Sequence, residues 1–230
     1  MCVLAHPDDE TLGTGGSLAK YSSEGVECHV VCATRGERGR FGHTEPRPAP
    51  EVVGAAREAE LQEAANLLGV KEVSFLDYMD AELDRANPAE AIAKIVAHLR
   101  RVRPHVVLSF GPDGGYGHPD HIAISQFTGA AIVKAADQRY QGGAGEDVPE
   151  EPHAVAKFYY MAWDQKDWAA YQAAFKELIS NVDGVKRQAT PWPDWAITTA
   201  IDTTGHWQKV PPHLPHEAVA VKLKELVGEG

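Results

Sequence analysis

MCVLAHPDDETLGTGGSLAKYSSEGVECHVVCA, residues 1–33, decides the fold. Met1–Ala5 is a short apolar run that fits a buried strand. Gly13–Glu24 reads as a helix after a glycine-rich turn, ended by Gly25. Val26–Ala33 is rich in β-branched residues and reads as a second strand. Two strands joined through a helix pair in parallel. Between the first strand and its helix stands HPDDE (6–10), four polar or ionisable groups in five positions. That is a poor way to begin a core and a good way to begin a metal site.

The same alternation continues outward. Thr34–Pro50, rich in Arg, Gly and Pro, reads as a long loop. Glu51–Leu68 has helical periodicity and stops at Gly69. Lys71–Leu76 is a third strand, Pro88–Val102 a helix with Pro in its first turn, His105–Phe110 a fourth strand and Pro119–Ala136 a helix. Gln138–His153 is a polar loop. Later come an element at Ala156–Ala162, a helix over Asp167–Ser180, a strand at Ala196–Asp202 and a terminal helix near Glu217–Val227. Strands alternating with helices predict an α/β fold: a doubly wound, mostly parallel sheet covered on both faces. With no internal repeat and no linker composition, residues 1–230 read as one domain.

Charge narrows the partners. Lys and Arg number 22 against 33 Asp and Glu, a formal −11, which disfavours nucleic acid and anionic membrane surfaces as partners. No apolar run approaches the ~20 residues of a membrane span, and HPDDE follows Met1 too closely for a secretory leader. Cys2, Cys28 and Cys32 are few and odd in number, which fits a reducing, cytoplasmic setting. At even spacing on a strand, Cys28 and Cys32 face one side as buried thiols.

In open parallel sheets, ligands collect beyond the carboxyl ends of the strands. HPDDE follows the first strand and GPDGGYGHPDH (111–121) follows the fourth. His6, Asp8, Asp9, His118 and His121 therefore converge on one edge. A hydrolytic zinc ion usually has three protein ligands and one open position, and two His with one carboxylate fit that count. One of the adjacent aspartates then serves as ligand and the other faces the water. Iron(II) occupies such a set as readily. Alone, HPDD reads as a turn with a helix-capping Asp, and an isolated His-x-x-His is a weaker signal still. Their recurrence at two strand ends of one sheet favours the site.

AHPDDE with GHPDH resembles the LmbE/PIG-L family of zinc-dependent deacetylases. TRGERG (34–39) and REAEL (57–61) support the resemblance, which runs over most of the chain. Members remove acetyl groups from N-acetylglucosamine-type amides, including intermediates of mycothiol, bacillithiol and GPI-anchor synthesis. The resemblance implies His6, Asp9 and His121 as zinc ligands and Asp8 as general base. It implies His118 as the group that stabilises the oxyanion or protonates the leaving amine. Tyr116 resembles a tyrosine of the mycothiol-pathway branch that polarises the carbonyl, and Arg57 matches an arginine near the substrate. The family's late His-Ser-Gln is replaced by HLPHEAV (213–219), in which His216 matches the His alone.

The implied partner is a small N-acetylated amino sugar or its conjugate; a homo-oligomer is left open. Arg35, Arg38 and Arg40 read either as a solvated loop or as contacts to a hydroxyl-rich substrate. Glu10 reads as a helix cap or as the partner that orients His6. A dinucleotide reading of GTGGSL fits poorly, because Leu18 stands where Gly or Ala is needed and no acid ends the second strand. The rival functions are an amidase for larger thiol-sugar conjugates and a non-catalytic carbohydrate- or metal-binding protein. No G-x-S-x-G supports a serine hydrolase.

Overall fold

The computed structural model of the chain describes residues 1–39, 46–142, 149, 151–175, 179–182 and 184–210. Five strands form one parallel sheet: β1 (Cys2–Leu4), β2 (His29–Thr34), β3 (Glu72–Tyr78), β4 (Val106–Phe110) and β5 (Lys157–Met161), in the order β3-β2-β1-β4-β5. Cys2 pairs with Val30 on one side and Leu108 on the other. A strand flanked on both sides and covered on both faces has to be apolar throughout, and every residue of β1 is buried. The chain leaves β1 toward β2 and β3, then returns to place β4 on the opposite flank. That reversal opens a crevice beyond the carboxyl ends of β1 and β4.

Two helix pairs cover the sheet. α1 (Asp9–Ser23) packs with α2 (Pro50–Leu68), and α3 (Pro88–Val102) packs with α5 (Pro119–Ala136). A kinked turn, α4 (Gly114–Gly117), precedes α5. Ile95, Leu99 and Ile124 at the α3–α5 contact are fully buried. Prolines open α2, α3 and α5, where the missing N–H costs nothing. The Asn87 side chain also accepts the Ala89 N–H at 3.0 Å. No helix among the described residues is long and apolar enough to cross a membrane.

Several boundaries differ from expectation. α1 starts at Asp9 rather than Gly13, because Asp9 and Glu10 suit the positive end of a helix and continue its first turn. The glycines thus lie inside the helix, where they permit close packing. A Cβ on Gly13 would lie 2.5 Å from Met161 Sδ, and one on Gly16 would lie 2.6 Å from Thr203 Oγ1. α6 spans Gln165–Phe175 and stops short of Ser180. A separate antiparallel hairpin follows, β6 (Ile179–Val182) with β7 (Val185–Gln188). Asp-Gly at 183–184, a hairpin turn signal, marks that change in the sequence. Residues 196–202 form no strand. A 3-10 turn at Asp194–Ala196 leads into mostly exposed chain. The expected terminal helix near Glu217–Val227 lies outside the described residues.

Arg100 is buried under the end of α5. It donates to the carbonyls of Ala135 at 3.2 Å, Asp137 at 2.7 Å and Pro149 at 2.8 Å. The Ala135 and Asp137 carbonyls lie at the negative end of α5 and Pro149 lies beyond it, so the guanidinium closes the helix and also holds the chain that follows. Arg100→Met keeps the length of the side chain and removes every donor. Urea unfolding followed by circular dichroism is expected to show a loss of about 2–3 kcal/mol.

Candidate metal centre

Both polar motifs become helix starts at the crevice. In HPDDE, Asp8 takes the N-cap of α1; in GHPDH, His118 takes the N-cap of α5, with Pro119 next. His118 Nδ1 accepts the Asp120 N–H at 3.1 Å, which leaves its proton on Nε2. His121, a turn into α5, is buried against Phe110, the last residue of β4, with stacked rings 3.8 Å apart.

The hydrogen-bond pattern assigns the tautomers of the two remaining histidines. His6 Nε2 lies 3.1 Å from Asp120 Oδ2 and 3.2 Å from Asp80 Oδ1. Both are acceptors, so this nitrogen carries the proton. His121 Nδ1 lies 3.1 Å from the Gly114 carbonyl and carries its proton there. His6 Nδ1 then faces His121 Nε2 at 3.2 Å: two lone pairs when His6 is neutral, a hydrogen bond donated by Nδ1 when His6 is protonated. The Asp9 carboxylate closes the group, 3.8 Å from His6 and 3.6 Å from His121. Ligand atoms at ~2.05 Å from a tetrahedral zinc are about 3.3 Å apart. The two imidazole nitrogens stand at that spacing, while the Asp9 contacts are longer and run to different oxygens, Oδ2 for His6 and Oδ1 for His121.

Asp9 is itself fixed, accepting the N–H of Ala5 at 3.1 Å and of His6 at 2.8 Å. Electrostatics agree with the geometry. Burial raises the Asp9 carboxyl to about 7, against the opposing pull of His6. Burial also works against a charge on His6, but Asp120, Asp80 and Asp9 outweigh it and raise its proton affinity well above the ordinary value. Burial, with His6 and His118 nearby, pushes His121 well below its usual range and keeps its lone pair available. The pocket favours one positive charge at its centre, and protons compete with a metal for that place.

Asp8 sits at φ 114, in the left-handed region that a non-glycine residue rarely occupies. Two groups over-determine it. Glu10 Oε2 accepts its N–H at 2.9 Å, and Arg57 Nη2 donates to its Oδ2 at 2.8 Å and also to the Pro7 carbonyl. Arg57 in turn lies under TRGERG: a Cβ on Gly36 would stand 2.7 Å from its Nε, and one on Gly39 would stand 2.4 Å from its Nη1. Glu37 accepts the Asp80 N–H at 3.2 Å, and the Arg38 N–H donates to Asp80 at 3.0 Å. Both supporting motifs are thus spent on holding Asp8 and Asp80.

His118 also has a ring nitrogen within 4.8 Å of those of His6 and His121. The Tyr116 ring stands edge-on to His118 at 5.9 Å and to His121 at 5.3 Å. Burial and the surrounding carboxylates raise the Tyr116 pKa and keep its phenol protonated, a donor. Arg35 turns elsewhere, pairing with Glu58 and Asp77 and lying over the Phe75 ring. His216 lies outside the described residues.

Asp120 and Asp80 were not singled out as site residues from the sequence. Asp120 is fully buried and joins three loops: besides His6, it accepts the N–H of Ala81 at 2.8 Å and of Leu83 at 3.1 Å. The signal for Asp80 was its place just after β3, at the same carboxyl edge. Glu10, with Asp8 N–H and the Thr11 hydroxyl as partners, serves the loop, and Asp120 orients His6.

Residues 1–132 match the family described as PIG-L: GlcNAc-PI de-N-acetylase. A 1D-myo-inositol 2-acetamido-2-deoxy-alpha-D-glucopyranoside deacetylase of Rhodococcus opacus (strain B4) is 34% identical, over 89% of this chain and 75% of that relative. A solved N,N'-diacetylchitobiose deacetylase from Pyrococcus horikoshii is 31% identical with a TM-score of 0.54, over 60% of this chain and 51% of that one. The chain thus spans about half of that enzyme's length. The 4-carboxy-2-hydroxymuconate hydratase of Pseudomonas putida KT2440 shares the fold over 98% of this chain and 82% of its own, with a TM-score of 0.71 at 23% identity.

Asp120→Asn removes the charge that sets His6 while leaving the proposed ligands in place. Zinc affinity, measured against a chromophoric chelator, is expected to fall about 10–100-fold; an unchanged affinity would mean that Asp120 does not orient the ligand.

Proposed function

The chain belongs to the PIG-L family, and on that premise we propose that it is a metal-dependent deacetylase of an N-acetylglucosamine-type amide. The observation that supports the metal is the 3.2 Å approach of His6 Nδ1 to His121 Nε2, with the Asp9 carboxylate beside both. Those three residues hold the cation, with zinc the first choice and iron(II) an acceptable substitute. When bound, the ion acidifies water and polarises a carbonyl as a Lewis acid.

The remaining residues divide the proton work. Asp8 accepts a proton as water adds to the acetyl carbon. Arg57 holds one of its oxygens, so the other meets the water. His118, with its proton on Nε2, and the Tyr116 phenol donate to the oxyanion as it forms. The C–N bond breaks once the amide nitrogen receives a proton, from Asp8 or from His118. Acetate and a free amine leave.

The named relative acts on an acetamido-glucopyranoside of myo-inositol, so the substrate class proposed for this chain is a small acetylated amino sugar on a polar aglycone. Strain and hydrogen bonding at Asp8, which no metal ligand set requires, favour catalysis over simple carbohydrate or metal binding.

Acetate release from a panel of N-acetylglucosaminides, with and without chelator and added metal, tests the reading. Activity is expected on the panel and loss of it with chelator. Asp8→Ala is expected to keep its metal and lose about 10²–10⁴-fold in turnover, whereas Asp9→Ala loses the metal. Equal metal loss in both variants would reverse the two roles. Release of a larger acyl group without acetate would point to the thiol-sugar amidase.

A further inference from the structure

Tyr116 stands in a turn built of glycines. Gly114, Gly115 and Gly117 all have positive φ, at 65, 72 and 77, and Tyr116 itself is non-helical within the turn. Glycines at such angles lose much conformational freedom on folding and bring no side chain to hold the result. The holding groups come from a stretch far along the chain, at the end of the β6–β7 hairpin and just after it. Arg187 Nη1 donates to the Gly117 carbonyl at 2.7 Å, and Trp192 Nε1 donates to Asp113 Oδ2 at 3.1 Å. One bond closes the exit of the turn and the other its entrance.

The entrance bond is built in. Asp113 Oδ1 is buried and has no hydrogen-bond partner among the described residues, so the indole N–H is the hydrogen bond they show on that carboxylate. Trp192 is anchored through its own N–H to the Trp163 carbonyl at 2.8 Å, and a Cβ on Gly111 would lie 3.2 Å from its ring.

We propose that Arg187 and Trp192 are positioning residues that set the glycine turn, and so place the Tyr116 phenol against the reacting carbonyl. The proposal rests on the deacetylase reading. Neither residue touches the metal ligands; each acts through the turn.

The test compares Arg187→Met and Trp192→Phe with the conservative Arg187→Lys and Asp113→Asn in the zinc-loaded full chain. Lys keeps a donor for Gly117, and Asn keeps an acceptor for the indole. Steady-state kinetics on an N-acetylglucosaminide are expected to show kcat about tenfold lower in the first two, since small misplacements of reacting groups cost this much or more. KM and zinc affinity stay within about twofold, and the conservative variants recover most of the rate. Hydrogen–deuterium exchange at residues 111–118 is expected to quicken about tenfold in the same two variants, with exchange in α3 and the melting temperature unchanged.

Unchanged exchange at 111–118 overturns the clamp. So does faster exchange across the whole sheet with a matching fall in melting temperature, which marks a merely structural contact. Local loosening with an unaltered kcat overturns the catalytic positioning. If the wild-type chain releases acetate from no glucosaminide, the functional reading fails by itself, and exchange still judges the clamp.

Discussion

The contact between His6 Nε2 and Asp120 is the constraint on which the site depends. It holds His6 Nε2 and so turns Nδ1 toward His121. Because Asp120 also takes backbone N–H groups from Ala81 and Leu83, a single buried carboxylate ties together the loops that follow β1, β3 and β4. A charge without hydrogen bonds at that depth would cost several kcal/mol; three donors make it tenable. The fold supplies this convergence through the reversal of strand order at β1, which brings the ends of β1 and β4 side by side.

Around that contact the molecule separates holding from reacting. Arg57, Gly36, Gly39 and Glu37 do not face the metal group; they keep Asp8 and Asp80 where they are. The strained backbone at Asp8 persists because Arg57 and Glu10 grip the residue from two sides. A side chain so placed has little conformational freedom left to lose.

The parts legible in the sequence are those with local causes. Period and capping located α3 and α5 to the residue, since Pro88 and Pro119 mark their starts and the apolar spacing runs to their ends. The apolar runs gave the parallel strands to within a few residues. Convergence of HPDDE and GHPDH followed from strand ends alone. Illegible were features set by tertiary contact. The glycines of α1 look like a turn and act as packing surface, because what they meet, Met161 and Thr203, lies far along the chain. Ala196–Asp202 has strand composition, yet it stays irregular and mostly exposed. Asp80 carries no pattern of its own; its role exists only because the loop after β3 crosses to α5.

The parallel topology has a consequence for the order in which the molecule can assemble. β1 emerges early, but its second neighbour, β4, is separated from it by β2, β3 and their helices. Pairing Cys2 with Leu108 closes a long loop, a slow event by its entropy. Until it closes, His6 and Asp9 have no His121 to face. An ion held by the proposed ligands would add its binding energy to the state in which the sheet has closed.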